Sequence, residues 1–197
     1  MEPMEPIELI VGLGNPGEKY DATRHNAGFW FLDRLSARDG GQFRPNARLN
    51  GDLAEVTTGG RRVRLLKPTT FMNRSGQSVG AAASYYRVAP EQILVVHDEI
   101  DLPAGALRLK AGGGHGGHNG LRDIVSHLNN KAFLRLRLGV GHPGSREEVI
   151  GHVLKRASRE DQSLIDTAID RALSETALLF GGDVDSAMNV LNRRDAP

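Results

Sequence analysis

Cysteine is absent from all 197 residues. That removes disulfide frameworks and thiolate zinc sites and agrees with a reducing, cytoplasmic setting without requiring one. Long apolar runs are also missing: the longest, LIVGL at 9–13 and ILVV at 93–96, are far too short to cross a bilayer as a helix. The leading MEPMEP has no basic stretch followed by an apolar one, so a secretory signal is not expected. An excess of either charge is lacking too. The formal net charge is +1, whereas a sequence-independent nucleic-acid coat protein would be more basic. Any nucleic-acid contact should therefore be local. Lysine supplies only five of the 25 cations and arginine the other 20; the planar arginine fork suits phosphate and carboxylate recognition, although a GC-rich genome would give the same bias.

What is present reads as one α/β domain over 7–197 behind a flexible leader at 1–6. Hydrophobic residues make up 39% and charged residues 25% of the chain, enough for a core of its own. IELIVGL (7–13) reads as a strand, and the segment after TRHN, with Phe29, Leu32 and Leu35 at spacings of three, as a helix closed by Gly40 and Gly41. Two strands joined at Gly59-Gly60 follow over 52–68, then a helix over 75–87 and a buried strand over 92–100. Another strand over 105–111, a helix over 119–130 and a strand over 135–141 come next. Leu164, Ile165, Ala168, Ile169, Ala172 and Leu173 predict one long helix over 159–180. Strands alternate with helices without a linker or repeat, so the expected architecture is a mixed, twisted central β-sheet sandwiched by α-helices. A site is expected where strands end.

Five stretches carry candidate chemistry. Gly12-Leu13-Gly14-Asn15-Pro16-Gly17 matches G-x-G-x-x-G after a strand. The helix begins too late, however, and no second strand ends in an acid some 20 residues on, so a tight turn exposing Asn15 is expected instead of a dinucleotide site. His25 stands in a polar loop leading into a helix, where an imidazole of near-neutral pKa can face a cleft. In HDEID (97–101), the carboxylates of Asp98, Glu99 and Asp101 should not converge, because alternate strand residues face opposite sides. Asp98 is better placed to orient an imidazole than to share a magnesium ion. In KAGGGHGGHNG (110–120), the P-loop signature fails, and His115 and His118 lack nearby zinc partners. A mobile, sterically bare loop remains, running from Lys110 to Asn119 at a helix start. KPTTFMNRSG (67–76) combines Phe71 and Met72 with Asn73, an amide that could also simply cap the next helix.

Taken together, GLGNPGEKYDATRHNAGF, KPTTFMNRSG, HDEIDLP, GGGHGGHNGL and RLRLGVGHPG, in that order from residue 7 to the final helix, resemble the bacterial peptidyl-tRNA hydrolases. The resemblance implies a single-domain, monomeric, metal-independent cytoplasmic enzyme with no cofactor and no obligate protein partner. It implies His25 as catalytic base and Asp98 as its orienting partner. Asn73 and Asn119, with His118 beside it, would bind substrate near the scissile ester, and Phe71 and Met72 would line the peptide side. Tyr20 would contact the tRNA 3′ end, Asn15 would sense the blocked α-amino group, and Lys110 and Arg137 would clamp the 5′-terminal phosphate.

The chemistry is coherent with that resemblance. An ester leaves without amine protonation, so one base activating water suffices, and no G-x-S-x-G nucleophile elbow occurs. The rival readings are a non-catalytic RNA-binding module, a nucleotide-dependent enzyme using GLGNPG and a magnesium nuclease at DEID. A binding module would not need a histidine and a carboxylate placed after separate elements.

Overall fold

The computed structural model describes residues 5–193. The seven strands are β1 (Leu9–Gly12), β2 (Arg44–Asn46), β3 (Gly51–Thr58), β4 (Arg61–Pro68), β5 (Ile93–Glu99), β6 (Leu107–Ala111) and β7 (Leu134–Gly139). They form one mixed sheet in the order β2-β3-β4-β1-β5-β7-β6. The four central strands β4, β1, β5 and β7 are parallel, while β2, β3 and β6 pair antiparallel at the flanks. The helices are α1 (Ala27–Asp39), α2 (Ser75–Tyr86), α3 (Asn119–Leu128), α4 (Val149–Val153), α5 (Arg159–Ser174), α6 (Thr176–Phe180) and α7 (Val184–Leu191). The expected leader at 1–6 lies mostly outside the described residues.

Alternation along the strands splits the core into two layers. Ile10, Leu94, Val96, Leu134, Leu136 and Leu138 pack against Phe31, Leu32 and Leu35 of α1 and the apolar stripes of α5, α6 and α7. On the opposite face, Leu9, Val11, Ile93 and Val95 meet Val79 and Ala82 of α2 and Leu121 and Ile124 of α3. The chain thus leaves β1 toward one layer and, by way of α2 and α3, serves β4 and β5 from the other. The carboxyl ends of β1 and β5 border the crevice where the connections diverge, which is where open α/β sheets place ligands.

The glycines of the GLG turn allow close packing. A Cβ on Gly12 would lie 2.4 Å from the Gly28 carbonyl oxygen, and one on Gly28 would lie 2.4 Å from both the Leu13 nitrogen and the Val96 oxygen. The α1 backbone therefore rests directly on β1 and β5.

The tail departs from the single helix expected over 159–180. It stops after Ser174 and restarts as α6 at Thr176. Arg38 of α1 donates to the Leu173 carbonyl and to the hydroxyls of Thr58 and Thr176, drawing the last turn toward a partner 135 residues away. A further helix, α7, capped by Asp183, brings Asn192 against the edge strand β6. Its carboxamide bonds both the nitrogen and the oxygen of Leu109, at 2.7 and 3.0 Å. That occupies part of an otherwise open sheet edge.

Helix propensity alone would make Gly28→Ala stabilising by about 1 kcal/mol. The contacts at Gly28 reverse the sign: overpacking against backbone should cost about 3 kcal/mol, a Tm drop of roughly 6–12 °C for a chain of this size. Thermal unfolding of Gly28→Ala checks it, and an unchanged or raised Tm refutes the packing account.

Candidate active site

Asp98 stands near the end of β5 and is almost fully buried, yet it is ringed by donors. The His25 Nδ1 lies 3.0 and 2.9 Å from its two oxygens, and the His118 Nε2 lies 2.9 Å from Oδ1. His25 comes from the short 3-10 turn Arg24–Asn26 that feeds α1, and His118 is the N-cap of α3. The two helical layers thus meet at one carboxylate.

The hydrogen bonds settle where the protons sit. A carboxylate only accepts, so His25 Nδ1–H donates to Asp98 and leaves the Nε2 lone pair, which has no partner among the described residues. His118 Nδ1 accepts from the backbone nitrogens of Gly120 and Leu121 at 3.1 and 3.4 Å, so its proton is on Nε2 and points at Asp98. The donor atoms of His25, Asp98 and His118 lie within 4.8 Å of one another, a metal-like grouping that the search for nearby zinc partners in the sequence missed. To ligate through Nε2, however, His118 would have to lose its only ring proton or give up the helix cap. The arrangement fits a hydrogen-bonded carboxylate better than a metal centre.

Burial by itself would lower the pKa of His25, but the charge of Asp98 and its hydrogen bond more than offset this, and the imidazole titrates above its ordinary 6.5. Burial likewise opposes ionisation of Asp98, and the two imidazoles overcome it, holding the carboxyl below the usual carboxylate range. His97, the preceding residue, is fully buried. Burial and the neighbouring His118 push it down to about 3, so it stays neutral, and its Nδ1–H donates to the Asp98 carbonyl at 2.8 Å.

Asn15 is the clearest departure from expectation. The turn was expected to expose it, but it is only 6% exposed. Asn26 grips its backbone at both ends, accepting from Asn15 N at 2.8 Å and donating to Asn15 O at 2.9 Å. The Asn15 Oδ1 accepts from the Met72 backbone nitrogen at 2.7 Å, so only its Nδ2 remains for a ligand. The same bond holds the 70–73 loop. Phe71 there adopts φ 63 and ψ 156, a region that glycine alone enters freely and that costs about 1–3 kcal/mol elsewhere. Its ring is pushed into solvent, 52% exposed, with Tyr20 edge-on at 6.2 Å. Met72 was expected to line the peptide side, but it is buried in the α2–α3 layer. Asn73 caps nothing: α2 begins after Arg74 without a side-chain cap, and its first turn is held by Asp123 of α3, which accepts from Gly76 N at 2.8 Å. Asn73 and Asn119 are both exposed, with carboxamides that bond nothing among the described residues.

The glycine stretch is less free than its composition implies. Gly112, Gly113, Gly116 and Gly117 have positive φ, and a Cβ at Gly114, Gly116 or Gly117 would meet nothing within 4 Å. The base of the loop is nevertheless anchored. Arg135, buried on β7, donates to the carbonyls of Gly113, Gly114 and Lys131 and lies over the Phe133 ring at 4.4 Å. Sequence reasoning missed Arg135 and Asn26 and weighed Glu99 only as a metal ligand; the one available signal was alternation in RLRLG, which puts two arginines on one face of a strand. Lys110 and Arg137 share that face. Lys110 pairs with Arg135 and Arg108 with Arg137, so Lys110 and Arg137 are diagonal neighbours, roughly 7–8 Å apart.

An imidazole hydrogen-bonded to a buried carboxylate lies at the strand ends of a mixed α/β sheet, an arrangement chemically able to activate water in a hydrolase-type site. The sequence profile of the peptidyl-tRNA hydrolase family matches residues 9–197. The chain is 54% identical over 189 residues to the peptidyl-tRNA hydrolase of Alcanivorax borkumensis, covering 95% of this chain and 97% of that one. It is 55% identical over 192 residues to that of Azoarcus sp., covering 98% and 87%. The crystal structure of the Acinetobacter baumannii peptidyl-tRNA hydrolase superposes with a TM-score of 0.92 at 55% identity, over 94% of each chain. This chain belongs to the peptidyl-tRNA hydrolase family.

Asp98→Asn should remove the charge that raises His25, and the His25 pKa should fall. Titration of the His25 ring protons by NMR measures this; an unmoved pKa would mean that Asp98 does not set its basicity.

Proposed function

We propose that this enzyme hydrolyses the ester joining peptide to tRNA with His25 as general base and Asp98 as its orienting partner. The observation that carries this reading is the tautomer: His25 Nδ1–H donates to the Asp98 carboxylate, so the only free lone pair of His25 is on Nε2. Water attacks the ester carbonyl carbon while His25 Nε2 takes a water proton, and Asp98 stabilises the imidazolium that forms. The tetrahedral oxyanion is met by carboxamide donors from Asn73 and Asn119; one such donor is worth about 3–4 kcal/mol. Collapse breaks the bond to the ribose oxygen, which leaves with the proton from His25. The products are a peptide carboxyl group and a free tRNA hydroxyl.

The remaining residues take supporting parts. Asn15 presents Nδ2 to the acylated amino end of the substrate, and the Phe71 and Tyr20 rings border the peptide and the tRNA 3′ end. Lys110 and Arg137 receive the 5′-phosphate. His118, with both nitrogens engaged internally, acts behind the site by holding Asp98 and the start of α3. The reading carries with it a cytoplasmic monomer, and the lack of cysteine agrees with a reducing compartment. Among the described residues no helix is long and apolar enough to cross a membrane.

Hydrolysis of N-acetyl-aminoacyl-tRNA should exceed that of unblocked aminoacyl-tRNA and persist in EDTA, and His25→Ala should lower kcat about 10²–10⁴-fold. Full activity in that variant would sink the general-base assignment. Because protonated His25 has no lone pair at Nε2, kcat/KM should decline as pH falls through a value above 6.5. A profile flat from pH 8 to pH 5 would contradict it.

A further inference from the structure

The face of the sheet beyond α3 carries four cations, Arg108 and Lys110 on β6 and Arg135 and Arg137 on β7, since alternate residues of paired strands share a side. Arg135 is committed to loop carbonyls, and Arg108 turns back onto the Leu107 carbonyl. Among the described residues, the Lys110 ammonium and both terminal nitrogens of Arg137 have no hydrogen-bond partner. One carboxylate enters this face, and it comes from β5. Glu99 Oε1 accepts from Arg137 Nε at 2.8 Å, with the two side chains 14% and 25% exposed.

The choice of atom matters. A carboxylate that merely neutralised Arg137 would gain most by gripping both terminal nitrogens in the bidentate fork. Glu99 takes Nε instead, which restrains the guanidinium and leaves both terminal nitrogens without a hydrogen-bond partner among the described residues. A carboxylate also repels an incoming phosphate, so its presence beside an anion site needs a compensating gain, and preorientation of the arginine supplies one.

We propose that Glu99 is a positioning residue for the 5′-phosphate of the tRNA substrate: it locks Arg137 through Nε so that both terminal nitrogens, with Lys110 diagonally opposite, are aimed at the phosphate before it arrives. The proposal rests on the reading of Lys110 and Arg137 as the phosphate clamp. Asp98 and Glu99 are consecutive on β5 and face opposite sides, so one strand end orients the base toward the ester and the cation toward the other terminus of the same substrate.

The test measures kcat and KM for N-acetyl-aminoacyl-tRNA with and without its 5′-phosphate, in the wild type, Glu99→Gln, Glu99→Ala and Glu99→Asp. The wild type should prefer the phosphorylated substrate, mainly through KM. Glu99→Ala should reduce the preference several-fold. Glu99→Gln, whose carboxamide oxygen still accepts from Nε–H, should keep most of it. Glu99→Asp keeps the charge but falls short of Nε, so it should lose the preference as Ala does, and it serves in its place if the alanine variant fails to fold. A preference preserved or increased in Glu99→Ala and Glu99→Asp overturns the role of Glu99 alone. A wild type indifferent to the phosphate overturns the clamp reading and the role of Glu99 with it.

Discussion

The site depends on one buried charge. A carboxylate in an apolar interior is costly unless donors surround it, and Asp98 is 2% exposed at the end of a strand lined with Ile and Val. What makes it tolerable are two imidazole N–H groups, from the turn entering α1 and from the cap of α3. The same contacts that stabilise the charge therefore tie both helical layers to β5, one of the central strands. They also set the chemistry, because a ring that donates from one nitrogen to a carboxylate must present a lone pair at the other. Removal of either donor would therefore leave a partly unpaired charge in the core.

Much of this fold was legible in the sequence because the signals were local. The strand ending at HDE, the helix closed at Gly40 and the hairpin at Gly59-Gly60 follow from period and turn chemistry within a dozen residues, and all three stand where expected. The departures have a common cause in partners distant along the chain. Asn15 looked exposed because its turn is polar, but its oxygen belongs to a backbone nitrogen 57 residues on. The tail helix looked continuous because its apolar stripe runs on, but Arg38 takes the Leu173 carbonyl in its last turn. The glycine loop looked like a free hinge, and Arg135 pins its base from another strand. Periodicity reports which face a residue occupies; it does not report which polar group elsewhere will claim it.

Backbone strain and burial show the same division of labour around the 70–73 loop. Phe71 sits where a side chain is unwelcome, and Met72, directly after it, is buried against Gly120, where a Cβ would come within 2.6 Å of the Met72 sulfur. Burial of one residue and the Asn15 bond to its nitrogen force the exposure of the other. The ring of Phe71 is thus held out beside Tyr20 by the core and not by contacts of its own. A ring held this way can meet peptides of varied sequence, since its position does not depend on what it touches.

Alternation along β6 and β7 then bears on how a nearly neutral protein can engage a polyanion. With a formal net charge of +1, long-range attraction is weak, and binding must rely on a few well-placed groups. Four cations fall on one face of two paired strands because their residues alternate with leucines that build the opposite layer. The core pattern that folds the edge of the sheet therefore also arrays the charges. Of the four, Arg135 holds the loop and Arg108 its own strand, and each remaining cation stands on a strand fixed by the core. On the proposed clamp, recognition by two oriented groups and few neutralised phosphates would have a shallow dependence on salt, which suits an enzyme that must release its tRNA product after each turnover.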